Sequence, residues 1–307
     1  MTYTFRPYDG EHAAVAAVRA RCAARDGADP RSVVEGVPTD ADIAEECARL
    51  SADNQLLVRH GTEVVGHAGV SWWREQDGTR LYLHRGFLVP EHRGRGVGSA
   101  MLAWAERRIR ELVDEHGTAA SAVFGANAQT SATESTALLL DAGYRPVFSL
   151  VELEYPDLSP PEPVPPAGIT LGPIAPDRYR DAWRTVVDSY VDRPFVPTWT
   201  FESFLAEADP TCWRAAYDGD RMAGVALCAV RRPGLGVVDQ LSVGAGWRRR
   251  GVGRAVLTDG LRCLGAHGAS SVRLFTGTAN PHRSYDLYQS AGFERRNEYV
   301  RYRKPVS

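Results

Sequence analysis

The alternation of apolar and polar positions follows the same order twice along the chain. Each copy begins with a short strand pattern followed by a helical one, YTFRPY near the start and ITLGPI after Gly168. Two apolar runs around a glycine turn come next, at 58–70 and at 216–230, which is the pattern of a β-hairpin. The repetition predicts two tandem copies of one fold.

The rest of each copy reads as a strand, a long helix, a strand, a short helix and a final strand. Apolar residues at helical spacing mark the long helices: Met101, Trp104, Ile109 and Leu112 in the first copy, Leu257, Leu261 and Leu264 in the second. The short helices end at DAGY (141–144) and SAGF (290–293), where the glycine is a helix C-cap signal. The fold class predicted for each half is therefore α/β, with a mixed sheet.

A proline-rich segment separates the copies. The stretch YPDLSPPEPVPPAG (Tyr155–Gly168) contains six prolines, a density that prevents helix and sheet pairing and favours an extended spacer. A chain of 307 residues is long enough for two domains of ordinary size. We therefore predict an N-terminal domain at 1–155, a linker at 156–167 and a C-terminal domain at 168–307.

Composition excludes several classes of protein. A net charge of −2 with 44% apolar residues is typical of a soluble globular protein, without the basic field that favours nucleic acid. The five cysteines are scattered without a CxxC pair and the eight histidines without an HExxH, so we expect reduced thiols and no metal. The polar start and the lack of a long apolar run predict a cytoplasmic location and no membrane partner.

Two glycine- and arginine-rich stretches precede the long helices, EHRGRGVGSAML (91–102) and GWRRRGVGRAVL (246–257). The dinucleotide pattern GxGxxG fails, because Ser99 and Val256 stand where its third glycine is required, and no phosphate-binding Gly-Lys-Ser/Thr follows. Both stretches fit Arg-x-x-Gly-x-Gly, through Arg93, Gly96 and Gly98 and through Arg248, Gly251 and Gly253.

A strand–loop–helix corner of this type leaves backbone N–H groups unpaired and directed at one point, where the helix dipole adds positive charge. Glycines let the backbone close around a pyrophosphate that a side chain would exclude. We interpret both stretches as phosphate-binding loops. A tight turn without a ligand, and a basic nucleic-acid patch at WRRRGVGR, are the alternatives.

With TGTANPHRSYDLYQSAGF (Thr276–Phe293), these loops resemble the GNAT N-acetyltransferase family, in two tandem copies that cover essentially the whole chain. The resemblance implies acetyl-CoA as donor, with its pantetheine arm between two splayed parallel strands. In the first copy it implies acetyl-CoA contacts from Leu88, Arg93, Gly94, Arg95, Gly96, Val97, Gly98 and Ser99. In the second copy the implied contacts are Leu241, Val243, Arg248, Arg249, Arg250, Gly251, Val252, Gly253, Arg254 and Asn280. The alternative for Asn280 is an Asn-Pro turn that starts a helix.

The resemblance also implies a tyrosine on the last helix that protonates the departing CoA thiolate. Tyr288 stands there in the second copy, four residues before Gly292, whereas Leu139 stands four residues before Gly143 in the first. A leucine cannot donate a proton. We therefore predict that Tyr288 is the general acid and that the first domain is degenerate for catalysis. The alternative is that Tyr288 is a packed helix aromatic.

The general base is expected on the strand before the loop. Asp239 lies nine residues before Arg248, and His84 lies nine before Arg93. An acid in the apolar strand VVDQLSV would have a raised pKa if it were buried, which suits a base near neutral pH. The alternative is an acid that pairs with an arginine. His84 has a suitable intrinsic pKa but lacks a matching acid in its own copy.

The acceptor pocket is expected from the first helices of the second copy, at Trp183–Phe204. Its aromatics, with Asp188, Asp192 and Glu202, suit a cationic or polyhydroxylated amine, unless these aromatics are core. The sequence thus predicts acetyl transfer to a small-molecule amine in the C-terminal domain. Two alternatives are a non-catalytic acyl-CoA-binding protein and activity in the N-terminal domain, whose loop is closer to the family pattern.

Overall fold

A computed structural model describes residues 2–191, 193–196, 199–206, 208–280 and 284–306. The chain divides into two compact units. The first unit comprises the chain up to Leu150 together with the segment from Asn297 onward, and the second is Val151–Arg296. The sequence-based boundaries, with a linker at 156–167, stay a prediction.

The first unit alternates strands and helices in the predicted order. Its strands are β1 (Tyr3–Pro7), β2 (Gln55–His60), β3 (Glu63–Arg74), β4 (Arg80–Leu88), β5 (Ala122–Gln129) and the first part of β6 (Arg145–Tyr155). Its helices are α1 (His12–Asp26), α2 (Asp40–Arg49), α3 (Val97–His116) and α4 (Thr133–Asp141).

The last strand of the chain completes the sheet of the first unit. The strand order there is β1-β2-β3-β4-β5-β12, where β12 is Glu294–Pro305. Strand β12 pairs antiparallel with β5 from Tyr299, opposite Gln129, to Pro305, opposite Val123. Helix α3 buries Ile109 and its apolar neighbours against this sheet, which explains the helical spacing seen in the sequence.

The second unit repeats the same order of elements. Its strands are β7 (Ile169–Pro173), β8 (Arg214–Asp218), β9 (Arg221–Arg232), β10 (Leu235–Val243) and β11 (Ser271–Gly277), in the order β6-β11-β10-β9-β8-β7. Its helices are α5 (Tyr179–Ser189), α6 (Phe201–Ala206), α7 (Val252–Ala266) and α8 (Ser284–Ser290). The mixed α/β class predicted from the sequence is confirmed in both units.

Helix α7 lies on the core of the second unit. Leu257, Leu261 and Leu264 are each no more than 2% exposed and belong to the same apolar cluster as the strand residues Val238 and Cys228. Burial of each such leucine stabilises the fold by roughly 2 kcal/mol. Helix α7, which follows the glycine-rich loop, is therefore held rigidly against the strands by its buried face.

The proline-rich segment contacts α7 along its length. The Leu158 amide donates to the Ser270 carbonyl at 3.1 Å, beyond the C-terminal end of the helix. Glu162 pairs with Arg262 at 2.7 Å, and Pro166 lies 3.6 Å from the position a Cβ would take on Gly251. The extended segment predicted from the sequence thus runs over the helix of the second unit.

None of the described helices combines the length and the apolar character required to cross a lipid bilayer. The cytoplasmic location stays a prediction.

Candidate active site

In each unit, two parallel strands pair only where they begin. Strand β4 pairs with β5 from Arg80, opposite Ala122, to Leu83, opposite Gly125. Strand β10 pairs with β11 for only three residues, from Leu235 to Val237. Over the remainder of these strands, no further pair forms between the described residues, so each sheet opens towards its glycine-rich loop.

Each opening ends at a loop whose backbone donors lack backbone partners. In the first unit the N–H groups from Gly94 to Ser99 donate to no described backbone group, and the first bond of α3 is from Ala100 to the Gly96 carbonyl. In the second unit the same holds from Arg249 to Arg254, and the first bond of α7 is from Ala255 to Gly251. In both units six consecutive amides at a helix N-terminus therefore lack a described backbone acceptor, an arrangement suited to binding an anion.

Positive φ angles shape both loops. Gly96 and Gly251 begin the two helices at φ 79° and 86°, a conformation that favours glycine. One residue after the motif arginine, the first loop has Gly94 at φ 70°, whereas the second has Arg249 at φ 61°. The two loops thus share one backbone path, and the second loop keeps that path with a strained arginine.

The motif arginines close the loops onto the preceding strands. Arg93 Nε donates to the Leu88 carbonyl at 3.0 Å, and Arg248 Nε donates to the Val243 carbonyl at 3.1 Å. The same hydrogen bond thus joins the first motif residue to the last strand residue in both copies. It accounts for an arginine at this position irrespective of any ligand.

The charge of that arginine differs between the units. Arg93 Nη1 donates to Asp26 and to Glu134, both at 2.6 Å, and these carboxylates raise the pKa of the guanidinium. In the second unit, no described carboxylate forms an ion pair with any residue of the run Arg248–Arg250. The run Arg248–Arg250 therefore stays outside ion pairs, with Asp218 acting on Arg250 only at longer range, whereas the charge of Arg93 is neutralised.

Several of the remaining residues predicted to contact acetyl-CoA pack against their neighbours. Val97 and Val252 are buried at 3% and 1% exposure. A Cβ on Gly253 would approach Val243 Cγ2 to 3.3 Å, so glycine here lets α7 pack closely on β10. A Cβ on Gly98 would lie 3.5 Å from Leu138 Cδ2. Ser99, in the first turn of α3, and Arg95, before that helix, are exposed, and Leu241 packs against the core of the second unit.

Two further residues predicted to contact acetyl-CoA, Arg254 and Asn280, form side-chain hydrogen bonds near the two ends of α8. Arg254 donates from Nη1 to the Ser290 carbonyl at 3.0 Å. Asn280 donates from its amide to the Ser284 hydroxyl at 2.6 Å, and that hydroxyl lies 2.7 Å from the hydroxyl of Thr276. These bonds fix the start and the end of the helix that carries Tyr288.

Tyr288 lies in the core of the second unit at 6% exposure, with its ring against Phe293. Its hydroxyl forms no hydrogen bond to another residue in the described part of the chain. Burial raises the pKa of this phenol, and Tyr190 raises it further, while Arg193 lowers it. The phenol is thus protonated at neutral pH and free to donate to a ligand.

The equivalent positions in the first unit are buried. Leu139 is buried at 5% exposure. His84 is buried on β4, where its Nε2 lies 3.0 Å from the Tyr144 hydroxyl, and burial lowers the pKa of the imidazole to about 4. A histidine in this environment is a neutral core residue at physiological pH.

Asp239 does not have the buried environment on which its predicted role depends. Its side chain is 34% exposed, and its Oδ2 accepts a hydrogen bond from Arg231 at 2.9 Å. The strand register shifts between Val238 and Gln240, so Asp239 lies at a β-bulge in β10.

The residues that join α5 to β10 at the open end of the sheet are not indicated by the sequence pattern. The Tyr190 hydroxyl donates to Gln240 Oε1 at 2.7 Å, and the buried hydroxyls of Ser189 and Ser242 lie 2.9 Å apart. Arg193 stacks over the Tyr190 ring at 4.1 Å, and its buried Nε has no hydrogen-bond partner among the described residues. Tyr190 and Gln240 lie 50 positions apart, so no local spacing indicates this group.

The predicted acceptor aromatics pack on one another. Trp183 contacts Phe201 edge-on with ring centroids 5.8 Å apart, and Phe204 lies 5.2 Å from Trp213 in the core. Asp188 and Glu202 are exposed, and Asp192 lies outside the described residues. Much of this aromatic set therefore belongs to the core of the second unit.

Comparison with known proteins identifies the class. The profile described as "Acetyltransferase (GNAT) family" matches residues 26–130 and again residues 177–293. The chain therefore belongs to the GNAT acetyltransferase family and is an N-acetyltransferase with two copies of the family fold.

Relatives extend the likeness over nearly the full chain. A protein of Kineococcus radiotolerans named mycothiol acetyltransferase is 30% identical, with 96% of this chain and 94% of that protein covered. A protein of the same name from Parafrankia is 27% identical over 82% of this chain and 83% of its own.

Solved structures share the fold. A GCN5-related N-acetyltransferase from Sphaerobacter thermophilus has a TM-score of 0.82 at 24% identity, covering 99% of this chain and 96% of its own. A tandem GNAT protein from the clavulanic acid biosynthesis pathway has a TM-score of 0.69 at 18% identity, covering 100% and 99%. The tandem arrangement predicted from the sequence is thereby confirmed.

Proposed function

We propose that the second unit transfers an acetyl group from acetyl-CoA directly to the amine of a small molecule. The observation that carries this proposal is the combination, within one unit, of an open pair of strands, a loop whose run Arg248–Arg250 forms no ion pair with a described carboxylate, and a phenol at Tyr288 without a described hydrogen-bond partner. The first unit has the same opening and loop but has Leu139 in place of the phenol.

The donor is held by the second loop. The pyrophosphate of acetyl-CoA is an anion, and the free amides from Arg249 to Arg254 with the arginines of the same loop supply donors and positive charge for it. Where β10 and β11 part, their unpaired backbone groups offer hydrogen bonds to the amide-containing pantetheine arm. Leu241 and Val243, on β10, line one side of that path, and Asn280, between β11 and α8, lines the other.

The chemistry requires that the amine lose a proton, that the oxyanion be stabilised and that the departing thiolate gain a proton. The neutral amine attacks the thioester carbonyl, the oxyanion is stabilised by a backbone N–H near Val243, and the C–S bond breaks as the thiolate departs. Tyr288 donates its phenolic proton to that thiolate, since burial keeps the phenol protonated. Asp239, directly or through water, takes the proton lost by the amine and is the proposed base.

The acceptor binds beside Tyr190 and Arg193, the groups that act electrostatically on the Tyr288 hydroxyl. Relatives of 27% and 30% identity are named mycothiol acetyltransferases, which supports a mycothiol-related amine as the first acceptor to test. The buried, unpartnered Nε of Arg193 supports an acceptor that brings a hydrogen-bond acceptor to this point.

The proposal is tested by the release of free thiol from acetyl-CoA in the presence of a panel of amines that includes mycothiol-related ones. Tyr288→Phe is expected to lower kcat about 100-fold with little change in the KM for acetyl-CoA. Tyr285→Phe, one helical turn away and half-buried, is the matched control and retains kcat. Equal turnover in both variants contradicts the assignment of the general acid.

Asp239 needs a separate test because of its ion pair with Arg231. If Asp239 is the base, Asp239→Asn lowers kcat, while Arg231→Gln, which breaks the same ion pair, retains kcat. Equal effects of the two substitutions indicate a structural ion pair. Binding of CoA without turnover for any amine on the panel favours the non-catalytic acyl-CoA-binding alternative.

A further inference from the structure

Two thiols and an imidazole meet in the second unit, away from Tyr288 and the glycine-rich loop. Cys263 and His267 are four residues apart at the C-terminal end of α7, so they lie on one face of the helix. Cys212 ends the 3₁₀ turn Pro210–Cys212, which precedes β8. The donor atoms of these three side chains all lie within 4.8 Å of one another.

The distances match those of a tetrahedral metal site. Zinc–sulfur and zinc–nitrogen bonds of about 2.3 and 2.0 Å place sulfur and nitrogen ligands about 3.5 Å apart, and two sulfurs about 3.8 Å apart. His267 Nδ1 lies 3.4 Å from Cys212 Sγ and 3.7 Å from Cys263 Sγ. Both distances from His267 Nδ1 therefore match those between ligands of one ion, and the two sulfurs lie within 4.8 Å of each other.

We propose that Cys212, Cys263 and His267 bind a zinc ion, with a water molecule or an added ligand in the fourth position. Two thiolates and an imidazole are the ligand set that zinc prefers, whereas magnesium and calcium prefer oxygen. Each thiol loses its proton to solvent on binding, and the neutral imidazole coordinates through the Nδ1 lone pair, so two protons are released per ion.

The environment allows an ion to enter. His267 is exposed, Cys263 is half-buried, and Cys212 forms the buried end of the group at 1% exposure. The competing interaction is local, because His267 Nδ1 lies 2.8 Å from the Cys263 carbonyl and donates to it when it carries the proton. The tautomer protonated at Nε2 leaves Nδ1 free for the metal.

A bound ion would join two parts of the second unit that are far apart in the sequence. Cys212 closes the connection that follows α6, and Cys263 and His267 belong to the helix whose other end carries the phosphate-binding loop. The ion would thus fix the turn before β8 against α7. This role is independent of which amine the enzyme acetylates and of which unit is active.

Cobalt(II) titration of the full-length protein, reduced and freed of metal, tests the proposal. We expect one equivalent to bind, with thiolate-to-cobalt charge-transfer absorption and the visible bands of a tetrahedral ion, and zinc to displace it. His267→Asn, at the exposed position, should weaken cobalt binding about tenfold or more. Cys263→Ser should also remove about half of the charge-transfer intensity. Cys47→Ser, a buried thiol of the first unit, is the matched control and should bind as the wild type does.

At the same zinc concentration, the melting temperature should rise more for the wild type and the Cys47→Ser variant than for His267→Asn. The proposal is overturned if the reduced protein shows no charge-transfer bands, or if His267→Asn and Cys263→Ser bind cobalt as the wild type does. It is also overturned if the reduced protein takes up no cobalt while air forms a Cys212–Cys263 disulfide, since the pair would then be a redox pair.

Discussion

Arg93 forms a bidentate ion pair with Asp26, with Nη1 2.6 Å from Oδ1 and Nη2 2.9 Å from Oδ2. Glu134 approaches the same guanidinium from α4. The equivalent Arg248 keeps the hydrogen bond to its strand but has no ion pair among the described residues. The loop closer to the family pattern is therefore the one whose arginine is already neutralised, which favours the second loop for a pyrophosphate.

Removal of the two carboxylates should convert the first loop into a better anion site. The double variant Asp26→Asn with Glu134→Gln leaves Arg93 in place and removes two negative charges from its surroundings. We expect the affinity of the first loop for CoA to rise about tenfold at low salt, and the gain to shrink as salt screens it. Isothermal titration calorimetry in a Gly251→Glu background isolates the first loop.

Asp114→Asn, an exposed acid at the far end of α3, is the matched control for that experiment and should leave the affinity unchanged. If the double variant binds CoA no better than the Gly251→Glu protein, neutralisation of Arg93 does not control the affinity of the first loop for CoA.

A carboxylate in the second loop should abolish donor binding there. Gly251 has φ 86° and Pro166 3.6 Å from its Cβ position, so Gly251→Glu both strains the loop and places a negative charge beside the free amides. A repulsion of about 3 kcal/mol lowers acetyl-CoA binding about 100-fold. Gly246→Glu adds the same charge where a Cβ meets no atom within 4 Å, and it should cost much less. Equal losses of acetyl-CoA affinity in titrations of the two variants would contradict a specific phosphate-binding loop.

The repeat made the loops, the helices and the Tyr288–Leu139 difference predictable, because each depends on local spacing that occurs twice. What the sequence could not provide are contacts between distant segments. Asp26 is 67 positions from Arg93, and nothing in the spacing indicates their pairing. The bulge at Asp239 and the pairing of β12 with β5 likewise arise from tertiary packing. Cysteines that appear scattered in the sequence meet only because α7 and the turn before β8 are adjacent.

The strained arginine of the second loop yields a paired prediction. Arg249 adopts φ 61°, where the first loop has Gly94 at φ 70°. Arg249→Gly should stabilise the protein by about 1 kcal/mol because the left-handed conformation costs glycine nothing, and it should raise the KM for acetyl-CoA because a cation is lost. Gly94→Arg should destabilise by a similar amount. Urea unfolding midpoints and KM values check both, and a lower midpoint for Arg249→Gly would contradict the strain argument.

The buried His84 predicts acid lability in the first unit. Burial lowers the pKa of its imidazole to about 4, whereas in the unfolded chain the pKa is about 6.5. Between these values the unfolded state binds the proton and the folded state does not, so stability falls as the pH drops from about 6.5 to about 4.

The lost stability has an upper bound of about 3 kcal/mol for this one histidine. His84→Gln retains a polar partner for the Tyr144 hydroxyl and removes the titration, so the variant should lose less protection than the wild type over the same pH interval. Hydrogen exchange of the β4 amides at pH 6.5 and pH 4.5, corrected for the intrinsic pH dependence of exchange, measures the difference. The neighbouring Glu106 and Lys304 remain in both proteins, and their effect cancels in the comparison. An identical loss of protection in the two proteins would show that His84 does not control the acid response.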